Sequence, residues 1–210
     1  MIRILIADDH PVVRRGLKET LSEAFTQVTF GEATTAEDAV KQVEKQNWDV
    51  VILDISMPGK SGLDILDDLH HLRPRLPILL LSMHPEGQFA RRALKSGAAG
   101  YLTKDSVSTE LTEAVRRVRA GGRYVSASLA EALAFDLRSG ADAPIHELLS
   151  NREFQVLRML ASGMTVKQIA DEIALSVKTI STYRARILLK TGLKTTADLI
   201  RYALQARIVD

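Results

Sequence analysis

The stretch Val50–Gly59, with the sequence VVILDISMPG, decides the fold of this chain. Its first four residues are apolar without a break, and such a β-branched run is typical of a strand that is buried on both faces. Pro58 and Gly59 then turn the chain. Asp54 is therefore predicted at the carboxyl end of a strand, which is where open parallel sheets bind their ligands.

The length and composition of the chain exclude several classes of protein. Its 210 residues suggest one large or two small domains, and an apolar content of 46% is ordinary for globular proteins. No apolar run approaches the roughly 20 residues that span a membrane, and the N-terminus reads as a strand rather than a signal peptide. The absence of cysteine excludes disulfides and thiol chemistry, and the histidines lack metal-ligand spacing. The lack of cysteine fits a reducing compartment without proving one, and we expect a cytoplasmic protein with no membrane partner.

The net charge of +2 conceals a difference between the two parts of the chain. Residues 145–210 carry 10 Lys and Arg against 6 Asp and Glu, whereas residues 1–144 carry 18 against 20. An acidic first part and a basic second part indicate two functions, and the basic part is a candidate for nucleic-acid binding.

Strand and helix patterns alternate five times in the first part of the chain. The predicted strands are 2–7, 28–32, 50–54, 77–82 and 99–103. The predicted helices are 11–25, 34–43, 61–72, 86–96 and 106–120. A capping box at Thr34 and Glu37 opens the second helix. This alternation predicts an α/β fold, a doubly wound five-stranded parallel sheet with helices on both faces.

The second part of the chain shows helices and no strand. A capping box at Ser150 and Glu153 opens the first helix, which Gly163 ends. Three more helices are predicted at 166–173, 177–190 and 196–206. We therefore predict an all-α domain of four helices, with a helix-turn-helix whose turn is Leu175-Ser176.

These patterns divide the chain into two domains and a linker. The first domain is predicted at 1–122 and the second at 148–210. The linker at 123–147 is expected to contain a helix at 126–137, and the small polar residues at 139–142 mark the boundary.

Five polar residues follow predicted strands at the carboxyl edge of the sheet: Asp8, Asp9, Asp54, Ser82 and Lys104. Grouped carboxylates repel one another unless a cation neutralises them, and oxygen ligands at a half-open site suit Mg²⁺. Asp54 is then a candidate nucleophile for a phosphoryl group, whose oxygens Lys104 and Ser82 would contact. Taken singly, each residue has an ordinary alternative as a cap, a turn residue or a solvated side chain.

Residues 1–122 resemble the receiver domain of response regulators. The resemblance rests on the fragments IADDH at 6–10, LDISMPG at 53–59, LS at 81–82 and YLTK at 101–104. It implies that Asp54 is the phosphoacceptor. It also implies a Mg²⁺ site made of Asp8, Asp9, Asp54 and the Ser56 carbonyl. Ser82 and Tyr101 would form a two-state switch.

The resemblance extends to three further details. Ser56 and His84 would flank the water that removes the phosphoryl group. Tyr101 has a second interpretation as a ring that simply packs at the sheet edge. Many receiver domains have proline after the lysine, often with a cis peptide bond, whereas Asp105 follows Lys104 here and favours a trans bond.

The helix predicted at 177–190 has an apolar face, formed by Ile180 and Ile187, and a polar face. The predicted DNA contacts are Lys178, Thr179, Ser181, Thr182, Arg184, Arg186 and Lys190. We expect Lys178, Thr182 and Arg186 to enter a major groove, and Thr179, Arg184 and Lys190 to reach phosphates. A solvated helix in a helical bundle fits the same spacing equally well.

Residues 148–210 resemble a LuxR-type DNA-binding domain. The resemblance rests on LSNRE at 149–153, VL at 156–157, ASG at 161–163, IA at 169–170, LS at 175–176, TI at 179–180, Lys190 and Leu199. With the receiver domain, it indicates a response regulator of the NarL/FixJ type. Tyr183 and Thr191 depart from residues common in that family and bear on DNA sequence preference. The last helix would pair two such domains, or else only close the helical core.

The two resemblances together imply the partners and the mode of action. A sensor histidine kinase or a small phosphodonor phosphorylates Asp54, and a homodimer then binds double-stranded promoter DNA and acts on RNA polymerase. The helices at 11–25 and 106–120 are predicted to form the dimer contact. The residues assigned to it are Val12, Val13, Leu17, Leu111, Val115 and Val118. Release of an inhibited monomer is the alternative.

Two other functions remain open at this point. An orphan regulator would act through protein contacts and never take up phosphate. A phosphatase of the aspartyl-phosphate type would need a D-x-D motif after the strand, whereas Asp54-Ile55-Ser56 lacks the second aspartate. The resemblances favour a regulator rather than an enzyme.

Overall fold

The computed structural model describes residues 1–57, 60–83, 87–131, 134, 144–206 and 208–209. The chain falls into two compact units, Met1–Arg138 and Ser139–Asp210. Pro58, Gly59, His84 and the predicted boundary at 139–142 lie outside the described residues. Within the described ranges, no helix combines the length and the apolar character that a membrane crossing requires.

The N-terminal unit contains a five-stranded sheet in the order β2-β1-β3-β4-β5, with every neighbouring pair parallel. The strands are β1 Ile2–Ala7, β2 Val28–Ala33, β3 Val50–Asp54, β4 Ile78–Ser82 and β5 Gly100–Thr103. The helices are α1 Pro11–Ala24, α2 Ala36–Lys45, α3 Leu66–Leu72, α4 Gly87–Lys95 and α5 Val107–Arg119. The predicted α/β fold is confirmed, with most element ends within two or three residues of the prediction.

The central strands lie in the interior of the unit. Every residue of β3 and of β4 is buried, which is why both sequences are apolar without alternation. The register aligns Asp54 with Leu81 and Ser82 with Thr103. The ends of β3, β4 and β5 therefore meet at one edge of the sheet.

The start of α2 differs from the prediction by one residue. Thr35, rather than Thr34, is the N-cap, and its side chain accepts a hydrogen bond from Asp38 N at 3.1 Å. This start places Ala36, Ala39 and Val43 on one buried face of the helix. The capping box predicted at Thr34 and Glu37 is wrong, because burial of that face sets the helical register.

The start of α3 was predicted at Ser61 but lies at Leu66. Turns occupy 62–65, and Ser61 supports them by accepting a hydrogen bond from Leu63 N on Oγ at 3.1 Å. Gly62 N donates to Ile55 O at 3.1 Å, which brings the loop back against the end of β3. A Cβ at Gly62 would lie 2.2 Å from Asp54 O, so only glycine fits this approach.

The segment after α5 remains attached to the sheet. Tyr124 N donates to Ala99 O at 2.9 Å, and Tyr124 O accepts from Tyr101 N at 3.2 Å. Tyr124 belongs to the buried core of the unit, and residues 127–131 are helical. The beginning of the predicted linker therefore packs as part of the N-terminal unit.

The described residues of the C-terminal unit form helices and connecting turns, with no strand among them. After a 3₁₀ turn at Ile145–Leu148, its helices are α6 Asn151–Ala161, α7 Val166–Glu172, α8 Val177–Thr191 and α9 Thr196–Gln205. The capping box predicted at Ser150 and Glu153 is confirmed. Gly192, at a φ of 71°, ends α8 in the left-handed conformation. The predicted four-helix domain is confirmed.

Candidate functional site

Three carboxylates meet where β1 and β3 end. Asp8 and Asp54 are fully buried, and Asp9 is partly buried. Together with His10 they offer ligand atoms that all lie within 4.8 Å of one another. The convergence expected from the strand ends is therefore present in the structure. His10 was missed because histidine spacing alone, without the fold, gave no signal.

His10 contacts both neighbouring carboxylates of this cluster. Its backbone N–H donates to Asp8 Oδ1 at 2.8 Å. Its ring nitrogen Nδ1 lies 3.1 Å from Asp8 Oδ1 and 2.8 Å from Asp9 Oδ1. The ring itself is largely exposed and marks the start of α1. It therefore sits at the rim of the cluster rather than inside it.

Lys104 reaches the cluster from the end of β5. Its Nζ lies 2.7 Å from Asp8 Oδ2 and 3.0 Å from Asp54 Oδ2, and its side chain is only 8% exposed. Its backbone N–H donates to Ser82 O at 2.8 Å, which fixes the loop that carries it. The structure describes no cis peptide bond, as expected from the Asp105 that follows.

Asp54 is held through both oxygens of its carboxylate. Oδ2 accepts from Lys104, and Oδ1 accepts from Ser56 N at 3.2 Å. Burial raises the pKa of Asp54, the charge of Asp8 raises it further, and Lys104 opposes the increase. Burial alone would lower the pKa of Lys104, but the two carboxylates outweigh it and raise that pKa above its ordinary value.

The donor set fits a divalent cation. Three carboxylates against one ammonium leave two formal negative charges at the site. Asp8 Oδ2 and Asp9 Oδ1 are buried, and the polar atoms beside them among the described residues are Lys104 Nζ at 2.7 Å and His10 Nδ1 at 2.8 Å. Carboxylate oxygens are ligands that Mg²⁺ prefers. A small hard cation would therefore satisfy these oxygens.

The two residues assigned to the switch lie on neighbouring strands. Ser82 is buried at the end of β4, and the Tyr101 ring on β5 is fully buried. Tyr101 is aligned with Leu80, two residues before Ser82. Burial of the ring agrees with simple packing and equally with one position of a switch, so the switch stays a prediction.

One face of α8 is buried, and the predicted DNA contacts lie outside it. Ile180 and Ile187 are buried with Ile169 and Ala170 of α7. The side chains exposed along α8 include Lys178, Thr182, Arg184, Ala185, Arg186 and Leu189. Thr179 and Ser181 are partly exposed. The fold therefore separates the core face from the predicted DNA face.

Lys190 lies in a different setting from the other predicted DNA contacts. Its Nζ is 2.7 Å from Oε2 of the buried Glu153, which also accepts from Ser150 N at 2.8 Å. Burial raises the pKa of Glu153, but Lys190 and Ser150 outweigh burial and hold the pKa below its ordinary value. Lys190 thus links the end of α8 to the start of α6.

The residues predicted for a dimer contact mostly belong to the core of the N-terminal unit. Four of them are fully or almost fully buried between α1, α5 and the sheet: Leu17, Leu111, Val115 and Val118. That part of the prediction is wrong, because in this fold the apolar stripe of a helix faces the sheet. Val12 is 83% exposed and Val13 is partly exposed.

Comparison with known proteins agrees with both units. Residues 4–116 match the response regulator receiver domain, and residues 147–203 match the bacterial regulatory proteins of the LuxR family. The chain is similar to the response regulator GacA of Pseudomonas viridiflava, at 35% identity over 100% of this chain and 99% of that protein. It is also similar to the response regulator UvrY of Escherichia coli K12, at 33% identity over 98% and 94%.

Solved structures of similar proteins extend over both units. The complex of the two-component response regulator RcsB with DNA has a TM-score of 0.59 at 27% identity, over 96% of each chain. RcsB of Salmonella enterica serovar Typhimurium, bound to a promoter with the phosphomimetic BeF3-, has a TM-score of 0.60 at 27% identity, over 96% of this chain and 97% of that chain. The chain belongs to the two-component response regulators of the NarL/FixJ type, in which a receiver domain precedes a LuxR-type DNA-binding domain.

Proposed function

We propose that a sensor histidine kinase or a small phosphodonor phosphorylates Asp54, and that the phosphorylated chain binds promoter DNA as a homodimer. The observation that carries the first step is the position of Lys104. Its ammonium lies 3.0 Å from Asp54 Oδ2 inside a group of buried carboxylates. A cation held against a buried carboxylate is suited to a reaction that adds negative charge at that point.

The transfer is a displacement at phosphorus. An oxygen of the Asp54 carboxylate forms a new O–P bond while the bond from phosphorus to the donor breaks, and the departing group keeps the electron pair. The Lys104 ammonium is already in place to offset charge on the phosphoryl oxygens. Ser56 N, which donates to Asp54 Oδ1, is a second donor at the same carboxylate.

We assign a Mg²⁺ site to Asp8, Asp9, Asp54 and the Ser56 carbonyl. When bound, Mg²⁺ supplies positive charge that offsets the phosphoryl oxygens. Three carboxylates beside one ammonium support this assignment, because they leave negative charge that a divalent cation would neutralise. His10 and Lys104 hold the carboxylates close together.

Ser82 and Tyr101 are proposed to report the phosphorylated state. The Ser82 hydroxyl, at the end of the strand next to Asp54, would donate to a phosphoryl oxygen and change the packing near the Tyr101 ring. Ser56 and His84 would set the lifetime of the phosphoryl group by flanking the attacking water. Changing either residue should alter the decay of phosphate without preventing its uptake.

The exposed face of α8 is proposed to read DNA. Lys178, Thr182 and Arg186 would enter the major groove, and Thr179, Ser181 and Arg184 would contact its edges and phosphates. The similarity of the chain to RcsB, which was solved in a complex with DNA, supports DNA binding. A homodimer would place two such helices on adjacent half-sites. A role in controlling a bacterial promoter further implies that the chain acts in the cytoplasm and contacts RNA polymerase.

Uptake of acid-labile phosphate from acetyl phosphate, with and without Mg²⁺, tests this function. Asp54→Ala should take up none, whereas Asp67→Ala, which changes an exposed aspartate of α3, should match the original protein. Full uptake in Asp54→Ala would refute the assignment. An original protein that binds DNA without taking up phosphate would be an orphan regulator, and sustained turnover of a phosphomonoester would indicate a phosphatase.

A further inference from the structure

Arg14 joins the acidic cluster to the neighbouring strand β2. Its Nη1 donates to Asp8 O at 2.8 Å, and its Nε donates to Glu32 Oε2 at 2.7 Å. The side chain is only 13% exposed although it lies near the start of α1. Two bonds in different directions fix the plane of the guanidinium. Sequence reasoning missed this contact because Arg14 and Glu32 are 18 residues apart.

The backbone of Asp8 is held from two sides. Its N–H donates to Ala33 O at 3.1 Å, and its carbonyl accepts from Arg14. The peptide unit that begins with this carbonyl lies between the Cα atoms of Asp8 and Asp9. Because a peptide unit is planar, its orientation sets the direction in which both carboxylates leave the chain. A donor on this carbonyl therefore fixes two side chains of the cluster at once.

Glu32 holds Arg14 in place. Its Oε2 accepts from Arg14, and its Oε1 accepts from Lys18 of the next turn of α1. These two hydrogen bonds lower the pKa of Glu32, so the carboxylate keeps its charge in more acidic solution than an ordinary glutamate does. Lys18 shares the carboxylate with Arg14, but the structure gives it no bond to Asp8. Both cations therefore hold Glu32, but only Arg14 also contacts the acidic cluster.

We propose that Arg14, held by Glu32, is a positioning residue for the divalent cation, acting through the Asp8 carbonyl on the carboxylates of Asp8 and Asp9. This inference rests on the proposed metal-dependent phosphorylation. Lysine would not replace Arg14 fully, because a single ammonium lacks the rigid fork that reaches both the Asp8 carbonyl and the Glu32 carboxylate. Partners outside the ligand set of a metal typically change its affinity by about 10- to 100-fold when removed.

Binding of Mn²⁺ to the full chain, followed by the loss of the free-ion signal in electron paramagnetic resonance, tests the proposal without any phosphodonor. Mn²⁺ takes the same oxygen ligands as Mg²⁺. Arg14→Gln should weaken Mn²⁺ binding about tenfold, at the low end of the range for such partners. Arg14→Lys should lie between Arg14→Gln and the original protein. Lys18→Gln is the matched control and should bind as the original protein does.

Every other outcome contradicts either the positioning role of Arg14 or the metal site itself. Equal Mn²⁺ affinity in Arg14→Gln and the original protein would overturn the positioning role and leave the proposed phosphorylation intact. Equal weakening in Lys18→Gln would overturn it as well, because the charge around Glu32 would then be the cause. If the original protein bound no Mn²⁺, the metal site and this inference would fail together. Should Arg14→Gln not fold, undiminished binding in Arg14→Lys overturns the proposal.

Discussion

Lys190 Nζ lies 2.7 Å from Glu153 Oε2, so an ion pair joins the end of the proposed recognition helix to the first helix of the DNA-binding domain. The Glu153 side chain is 4% exposed, whereas that of Lys190 is 40% exposed. The lysine therefore compensates a buried charge from a position that solvent still reaches. The first role of Lys190 is to fix α8 against α6. A DNA phosphate that contacted Lys190 would have to share its ammonium with Glu153.

Replacing Lys190 should destabilise the DNA-binding domain. Lys190→Met leaves the buried Glu153 carboxylate without its cation, and we expect a loss of about 1–2 kcal/mol, limited by screening at the exposed lysine. Chemical denaturation of the full chain measures this loss. Lys194→Met, which removes an exposed lysine beyond α8, is the control. Equal stability of both variants and the original protein would show that the ion pair contributes nothing.

The same pair should make the stability of the domain depend on pH. The pKa of Glu153 in the folded chain is below its ordinary value of 4.5, so its contribution is fully present above about pH 5. It is lost as the pH falls through the folded pKa, because the unfolded chain then binds the proton more readily. Glu153→Gln should therefore be less stable than the original protein at pH 7, with a gap that narrows in acid. A gap independent of pH would contradict the assignment.

Substitution of Gly62 should be destabilising, because a side chain there would collide with the end of β3. A Cβ at Gly62 would lie 2.2 Å from Asp54 O, and that backbone cannot move without moving the proposed phosphoacceptor. We expect Gly62→Ala to lower the unfolding free energy by about 1–3 kcal/mol and to slow phosphate uptake. Gly16→Ala is the control, because a Cβ there meets nothing within 4 Å and α1 favours alanine. Similar behaviour of both variants would refute the steric argument.

Substitutions at Arg186 and Arg184 should affect DNA binding differently, because Arg186 is proposed to contact bases and Arg184 to contact phosphates. Arg186→Ala should reduce discrimination between selected and unrelated DNA, costing about 1–3 kcal/mol at the preferred site. Arg184→Ala should instead weaken all DNA nearly equally and lower the salt slope by about one unit. Binding isotherms at several salt concentrations, on fragments selected by the protein from a random pool, measure both quantities. The opposite pattern would show that Arg184 contacts bases and Arg186 contacts phosphates.

The predictable features of this chain depend on local pattern. The runs Val50–Leu53 and Ile78–Leu81 revealed the sheet because both faces of these strands are covered. Fixed topology then brought Asp8, Asp54 and Lys104 to one edge, since parallel strands end on the same side.

The features that the sequence did not reveal depend on long-range packing. Lys190 meets Glu153, which is 37 residues away, and Arg14 meets Glu32. No spacing rule within one helix predicts such pairs. The assignment of the apolar stripe of α5 to a dimer contact was wrong for a related reason. That stripe is buried against the sheet of its own unit. Only the three-dimensional arrangement shows which partner covers an apolar stripe.

Phosphate on Asp54 is proposed to change the assembly of the chain and thereby its affinity for DNA. Two domains linked in a dimer gain affinity because the second recognition helix is held near its half-site. The most direct measurement is sedimentation of the full chain with and without acetyl phosphate and Mg²⁺, beside a titration of selected DNA, with Asp54→Ala as control. We predict that dimer mass and DNA affinity rise together in the original protein and that neither changes in Asp54→Ala. Tighter DNA binding with no change of mass, on or off DNA, would contradict the account.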